Sequence, residues 1–130
     1  MVIELADNRA VLVVDDDEAV RELVAIILGE EGYAVRTAAS GSEALSVAQQ
    51  EQPAVVLMDV NMPGLDGLSA CRRLRADERL AALPVVLMSS QPVAGDELRR
   101  CRADTFLPKP FDITELVDEV ERCLGPRVVA

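Results

Sequence analysis

The chain has 130 residues, a length that suits one domain able to bury a substantial core. Half of the residues are hydrophobic but very few are aromatic, so we expect an aliphatic core of Val, Leu, Ile and Ala. The formal net charge of −10 argues against nucleic acid as a direct partner, because phosphate binding requires basic residues clustered on one face.

The absence of histidine and the spacing of the cysteines exclude several kinds of catalytic and metal site. There is no histidine, which removes the usual general base and the usual metal ligand. Cys71, Cys101 and Cys123 have neither zinc-binding spacing nor an even number, so we expect reduced thiols. Residues 1–10 carry acidic residues where a signal peptide would have basic ones, so we expect no signal peptide there, and no apolar run reaches the roughly 18 residues that a membrane span needs. We therefore expect a cytoplasmic protein with no membrane partner.

The first predicted elements alternate between strand and helix. Val11–Val14 is a short run of branched residues typical of a strand buried on both faces. The next segment predicts a helix that ends near Gly32, because apolar residues recur at helical spacing. That apolar stripe consists of Val20, Leu23, Val24, Ile27 and Leu28. A second strand is predicted over residues 33–37, followed by a helix capped by Ser40 or Ser42.

The middle of the chain continues the alternation. Val55–Asp59 predicts a third strand, and a run of turn-forming residues over 61–67 follows it. Asp66 is placed to cap the third helix. Basic residues cluster in and after this helix, and the acidic residues around them indicate a solvated face; they are Arg72, Arg73, Arg75 and Arg79.

The last part of the chain supplies two more strands and two helices. A fourth strand over residues 85–88 precedes the weakest helix of the chain, over 91–102, which contains Pro and Gly and has a poor apolar stripe. A fifth strand runs into Lys109. Asp112 and Glu115 then resemble a capping box, and Gly125-Pro126 ends the final helix. Five βα repeats with right-handed crossovers predict an α/β fold with a doubly wound parallel sheet.

Reactive side chains follow four of the predicted strands: Asp15 and Asp16, Asp59, Ser89, and Lys109. In an open α/β sheet the carboxyl ends of parallel strands share one edge, where ligands bind. Carboxylates gathered there raise one another's pKa unless a cation neutralises them, and an all-oxygen site suits Mg²⁺. Asp is also a phosphoryl-accepting nucleophile, and a Lys ammonium and a Ser hydroxyl could contact phosphoryl oxygens. Taken singly, the same residues could be helix caps, turn residues or solvated charges.

Together, these motifs resemble the receiver domain of bacterial response regulators, the phosphoryl-accepting half of two-component signalling. The resemblance covers residues 10–124 and is carried by V-V-D-D-D at 13–17, M-D-V-N-M-P-G-L-D-G at 58–67, L-M-S-S at 87–90 and F-L-P-K-P-F at 106–111. It implies a flavodoxin-like fold with five parallel strands in the order 2-1-3-4-5 and helices on both faces.

The resemblance also implies a phosphorylation site with a magnesium ion. Asp59 would be the phosphorylated residue. Asp16 and Asp59 would bind Mg²⁺ through their carboxylates, Asn61 would do so through its backbone carbonyl, and Asp15 would reach the ion through water. Lys109 would neutralise the phosphoryl group, and its peptide bond to the following proline is typically cis in this family.

Four residues are implied to control switching and its rate. Ser89 stands where the family has a Thr or Ser that swings toward the phosphoryl group. Phe106 stands where the family has an aromatic residue whose rotamer changes when that Thr or Ser moves. Asn61 and Gln91 stand at positions that tune the lifetime of the acyl phosphate. Phe106 lacks the hydroxyl of a Tyr, so its switch would be steric.

The chain departs from the family pattern around the fourth helix. The spacing from Ser89 to Phe106 is shorter than usual, and Arg102 stands where a Gly commonly ends the helix. We therefore expect a short, displaced or mobile fourth helix. This departure puts in doubt any inherited role of that region in dimerisation or docking.

The leading hypothesis is a stand-alone receiver that takes a phosphoryl group from a phosphohistidine of a sensor histidine kinase or histidine phosphotransfer protein. It would be a signalling switch toward an unidentified protein target, with self-catalysed phosphorylation and dephosphorylation but no other enzyme activity. One alternative is an interaction module that works without phosphorylation. Another is a phosphatase of the haloacid dehalogenase type, whose motif Asp15-x-Asp17 resembles, although those enzymes need a longer chain and Ala19 departs from their motif.

We expect the receiver domain to span residues 10–124, with a leader over 1–9 and a tail over 125–130. The chain could be a complete regulator or a piece of a longer regulator or hybrid kinase. Its oligomeric state stays open, because no exposed apolar stripe is evident in the sequence.

Overall fold

The structure, a computed structural model, describes residues 10–125. The predicted leader over 1–9 and all of the predicted tail except Gly125 lie outside this range. Five strands alternate with five helices: β1 Val11–Val14, α1 Glu18–Glu30, β2 Val35–Ala38, α2 Gly41–Glu51, β3 Val55–Asp59, α3 Gly67–Ala76, β4 Val85–Ser89, α4 Gly95–Cys101, β5 Thr105–Pro108 and α5 Ile113–Leu124.

The strands form one parallel sheet in the order β2-β1-β3-β4-β5. The predicted doubly wound fold and its strand order are therefore confirmed. The strand order reverses at β1, because β2 lies on one side of β1 and all later strands lie on the other. β1 and β3 are therefore neighbours, and their carboxyl ends lie side by side. This is the position at which open α/β sheets form a binding crevice.

Alternate residues of each central strand enter two separate cores. In β1, Leu12 and Val14 face the core under α2, α3 and α4, whereas Val11 and Val13 face the core under α1 and α5. Every residue of β1, β3 and β4 is buried, because helices cover both faces of the sheet. Successive side chains of a strand point to opposite faces, so a continuous apolar run was needed to fill both cores.

Side-chain caps begin four of the five helices. Asp17, Ser40 and Asp66 accept backbone N–H groups at the starts of α1, α2 and α3, which selects Ser40 over Ser42 as the cap of α2. Asp112 and Glu115 form the predicted capping box at α5. These caps fix where each helix starts relative to the strand that precedes it.

The structure differs from the predicted boundaries around β2 and α4. β2 begins at Val35 because the Tyr33 N–H closes the end of α1 by donating to the Leu28 carbonyl oxygen at 3.1 Å. α4 is confirmed as short, spanning seven residues, and has no side-chain cap. It ends at Arg102, which has a φ of 55° in the left-handed region that favours Gly.

None of the helices in the described part of the chain has the length and apolar character of a membrane span. The three cysteines are free, with Cys71 and Cys101 buried in helices and Cys123 half-buried.

The predicted solvated face of basic residues is wrong for Arg75. Its side chain is only 7% exposed and makes five hydrogen bonds at the ends of the α3–β4 and α4–β5 connections. The acceptors are the backbone carbonyls of Ala81, Leu83 and Arg102 and a carboxylate oxygen of Asp104. The guanidinium therefore holds two connections together, and all of its donors are used.

We expect Arg75→Met to lower the free energy of unfolding by about 2–4 kcal/mol, because it removes the buried guanidinium that donates to three backbone carbonyls and to Asp104. Urea denaturation would measure the change. Arg73→Met is the matched control, since Arg73 lies exposed in the same helix and its loss should cost less than about 0.5 kcal/mol. Equal effects of the two substitutions would contradict a clamping role for Arg75.

Candidate phosphoryl-acceptor site

The reactive residues predicted from the sequence lie at one edge of the sheet. Asp15 follows β1, Asp59 is the last residue of β3, Ser89 is the last residue of β4, and Lys109 follows β5. Asp59 lies beside Met88 in the register of β3 with β4. The parallel topology therefore assembles the site from four strand ends.

Lys109 bridges the two buried carboxylates of this edge. Its Nζ lies 2.8 Å from Asp15 Oδ2 and 3.5 Å from Asp59 Oδ1. Asp15 is 1% exposed and Asp59 is 7% exposed. Asp15 Oδ1 also accepts the Asp17 N–H at 2.9 Å, so both of its oxygens have a partner. A buried carboxylate without such partners would be strongly destabilising.

Burial and neighbouring charge perturb two groups of the site. Desolvation raises the pKa of the Asp59 carboxyl above its usual value; the Lys109 charge opposes this increase, and the charges of Asp15 and Asp16 add to it. Desolvation lowers the pKa of the Lys109 ammonium, but the hydrogen bond and charge of Asp15, together with the charge of Asp59, leave it above its usual value. The site therefore holds more negative charge than Lys109 alone balances.

The carboxylates have the geometry of a site for a hard cation. One oxygen from each of Asp15, Asp16 and Asp59 lies within 4.8 Å of the other two, with Asp16 exposed and the others buried. The donor set consists of oxygen atoms, which suits Mg²⁺. Burial is the main cause of the raised pKa of Asp59, and a cation would offset the smaller contribution from the charges of Asp15 and Asp16. These residues fit the predicted ion.

A hydrogen-bond network around Ser89 was missed by the sequence analysis. Its Oγ accepts the side-chain N–H of Asn61 at 3.0 Å and the backbone N–H of Gln91 at 3.0 Å. Asn61 and Ser89 are far apart in sequence, so no local pattern signals this contact. The structure thus brings both residues at the predicted rate-tuning positions into contact with the predicted switch residue.

Two further residues support the site without being predicted to do so. Gly67 starts α3 directly against the end of β3, where an added Cβ would lie 2.3 Å from the Asp59 carbonyl oxygen. Only Gly fits this approach; the sequence marks Gly67 as part of a turn and of the family motif at 58–67, but not as a point of close contact. Arg21 of α1 donates to the Asp15 carbonyl oxygen at 2.8 Å and so fixes the β1–α1 connection.

The remaining predicted residues border the site. Phe106 is half-buried in β5 and packs against the core shared with α3 and α4. The Lys109–Pro110 peptide bond is cis, as the family resemblance implied. The side chain of Gln91 is exposed, and its contact with Ser89 uses the backbone.

An apolar groove lies next to Lys109, which corrects the expectation that no exposed apolar stripe exists. It has a volume of about 770 Å³ and runs between α1 and the start of α5. Its walls include Val20, Leu23, Ile27, Phe111 and Ile113. Leu23 and Ile113 are 59% and 57% exposed. The sequence does not reveal this groove, because helical spacing does not distinguish the α1 residues that reach the core from those that line the groove.

Sequence comparisons identify relatives of the whole described domain. Residues 11–121 match the model of the response regulator receiver domain. The chain is 37% identical over 116 residues to the DNA-binding dual master transcriptional regulator RpaA of Synechocystis, covering 88% of this chain and 48% of that protein. It is 41% identical over 121 residues to the response regulator MprA of Mycolicibacterium vanbaalenii, covering 88% and 49%. The chain thus spans about half the length of these curated relatives.

Solved structures agree with this assignment. The chemotaxis protein CheY4 of Vibrio cholerae superposes with a TM-score of 0.85 at 32% identity, over 89% of this chain and 98% of that one. The receiver domain of a signal transduction histidine kinase from Syntrophus aciditrophicus superposes with a TM-score of 0.81 at 31% identity, over 89% of each chain. The chain therefore belongs to the family of response regulator receiver domains, the phosphoryl-accepting modules of two-component signalling.

Proposed function

We propose that Asp59 accepts a phosphoryl group from a phosphohistidine of a sensor histidine kinase or histidine phosphotransfer protein. The observation that carries this proposal is the placement of Asp59, buried at the end of β3, with Lys109 Nζ 3.5 Å from its carboxylate. In this proposal the domain is a switch whose change of surface reaches an unidentified protein target.

The proposed transfer makes one bond and breaks one. A carboxylate oxygen of Asp59 attacks the phosphorus atom, the bond between phosphorus and the histidine nitrogen breaks, and the imidazole leaves with that electron pair. The nucleophile must be ionised, and Lys109 favours the ionised form against the effect of burial. Lys109 also lies where it would neutralise the phosphoryl oxygens, and the Ser89 hydroxyl would donate to one of them.

Asp15, Asp16 and Asp59 would hold Mg²⁺, and the backbone carbonyl of Asn61 would complete the protein ligands, with Asp15 acting through water. The ion would supply positive charge to the phosphoryl oxygens. This role suits the excess of carboxylates over ammonium groups at the edge. The same residues would support hydrolysis of the acyl phosphate, in which water attacks phosphorus and Asp59 leaves as a carboxylate.

The groove beside Lys109 supports a docking position for the donor. Lys109 lines the groove and also lies 3.5 Å from Asp59, so a domain that brings phosphohistidine to Asp59 would cover the groove. Leu23 and Ile113 offer that partner an exposed apolar contact. We infer that an amphipathic helix bearing the phosphohistidine packs there.

The assignment of Asp59 as the acceptor can be tested with a small phosphoryl donor. Incubation with Mg²⁺ and phosphoramidate should add the mass of one phosphoryl group to the wild type, as measured by intact-protein mass spectrometry. Asp59→Asn should reduce the labelling rate by at least about a hundredfold, because an amide cannot act as the nucleophile. Asp118→Asn, an exposed carboxylate in α5, is the matched control and should label normally.

Normal labelling of Asp59→Asn would refute the assignment of Asp59. Failure of the wild type to label, combined with retained binding of a downstream protein, would favour the alternative interaction module that works without phosphorylation.

The environment of Asp59 predicts a pH-dependent effect on the free energy of unfolding in metal-free buffer. Because the folded-state pKa of Asp59 lies above its usual value of 3.8, ionised Asp59 weakens the fold at neutral pH. Asp59→Asn should therefore raise the free energy of unfolding at pH 7, by about 0.5–2 kcal/mol. The gain should shrink as the pH falls and the folded wild type takes up its proton. Chemical denaturation as a function of pH measures it, and a gain that grows on acidification would contradict the proposed environment.

Magnesium should act on the same excess charge. Millimolar Mg²⁺ should raise the melting temperature of the wild type, because a ligand that binds only the folded state stabilises it. Asp16→Asn should weaken this response by at least about tenfold in apparent affinity, with Asp118→Asn again as the control. An unchanged response of Asp16→Asn would remove Asp16 from the metal site.

The proposed docking position can be tested by a substitution in the groove. Leu23→Gln should slow transfer from an autophosphorylated histidine kinase that labels the wild type, by about tenfold or more. Ile26→Gln is the matched control, because Ile26 is 59% exposed in the same helix but does not line the groove. Phosphoramidate should still label both variants. Equal slowing by the two substitutions would show that the groove is not the docking position.

A further inference from the structure

The resting position of Ser89 is fixed by donors from two different connections. The Asn61 side chain belongs to the segment that joins β3 to α3, and Gln91 belongs to the segment that joins β4 to α4. Each donates to Ser89 Oγ at 3.0 Å, and Ser89 is only 1% exposed. A hydroxyl oxygen has two acceptor positions, so both are occupied. The hydroxyl proton stays available for donation.

From this geometry we propose that the two donors latch Ser89 in its resting rotamer, and that Asn61 is a positioning residue that acts through Ser89. The inference rests on the proposed phosphoryl-acceptor function, in which Ser89 turns toward Asp59. Turning would break both hydrogen bonds. The latch therefore contributes to the free energy that the phosphorylated state must supply to switch the domain.

Only one half of the latch depends on side-chain identity. The Gln91 donor is a backbone N–H, which any residue except Pro would supply. The Asn61 donor is a side-chain amide, which Ala, a carboxylate or an aliphatic residue would not supply. Asn61 thus sets the strength of the latch. Its influence on the lifetime of the acyl phosphate would then follow from how readily Ser89 leaves its resting rotamer.

The latch also connects the site to α4. The contact from Ser89 Oγ to the Gln91 N–H closes a turn at the start of the β4–α4 connection. α4 begins at Gly95 without a side-chain cap, so its amino-terminal end has no such anchor of its own. At the carboxyl-terminal end of α4, the Arg75 guanidinium donates to the Arg102 carbonyl oxygen. Release of Ser89 would therefore free the amino-terminal end of α4 while the clamp holds its carboxyl-terminal end.

The latch can be tested by NMR in unphosphorylated, metal-free protein. Asn61→Ala should lower the protection of the Gln91 amide against hydrogen exchange and shift the Ser89 χ1 population, measured by three-bond couplings. The expected change is about two- to tenfold, the effect of one hydrogen bond. The matched control is Gln91→Ala, which removes a side-chain amide but keeps the N–H, and which should preserve the wild-type Ser89 couplings.

A double-mutant cycle decides whether Asn61 acts through Ser89. In a Ser89→Ala background, Asn61→Ala should have no further effect on Gln91 protection, because the shared acceptor is gone. Wild-type protection and couplings in Asn61→Ala, or an equal effect of Asn61→Ala in both backgrounds, would overturn the latch.

The same cycle applies to the lifetime of the phosphoryl group. Asn61→Ala should change the rate at which labelled protein loses the group by about two- to tenfold with Ser89 present, and by much less in Ser89→Ala. An equal change in both backgrounds would overturn the proposed route through Ser89. If the wild type accepts no phosphoryl group, the proposed function fails, whereas the NMR measurements still decide the latch.

Discussion

The contact of the Lys109 ammonium with Asp15 and Asp59 makes the rest of the site possible. Two carboxylates at the end of neighbouring central strands, both nearly excluded from water, would otherwise repel each other and oppose folding. Lys109 lies 2.8 Å from one and 3.5 Å from the other, which leaves a net negative edge. This partial balance is what suits the edge to a divalent cation and a phosphoryl group.

The sheet holds some site residues more rigidly than others. Asp59 and Ser89 belong to β3 and β4 themselves, and both strands are paired on each side. Asp16, Asn61 and Lys109 lie in connections, outside the strands of the sheet. The proposed nucleophile and the hydroxyl thus have backbones held in the sheet, while the other groups of the site lie on connecting segments, which are generally more variable.

Most of the fold could be predicted because its signals are local. Branched apolar runs mark β1, β3 and β4, and Asp66, Asp112 and Glu115 mark helix starts within a few residues. Parallel topology then placed the reactive residues on one edge. Contacts between distant segments could not be predicted in this way. Arg75 reaches the connections that precede β4 and β5, and Asn61 reaches Ser89, with no periodic pattern that indicates either contact.

The clamp at Arg75 also bears on how this end of the domain could diverge. Its acceptors are mainly backbone carbonyls, which every amino acid carries, and the carboxylate of Asp104 is the exception. The hydrogen bonds to Arg75 therefore do not restrict residue identity at positions 81, 83 and 102, although burial of Leu83 in the core and the left-handed backbone of Arg102 do restrict it there. We expect the exposed positions of these two connections to accept substitutions while the chain keeps its path. They would be a suitable place to graft recognition sequences without disturbing the opposite, reactive edge.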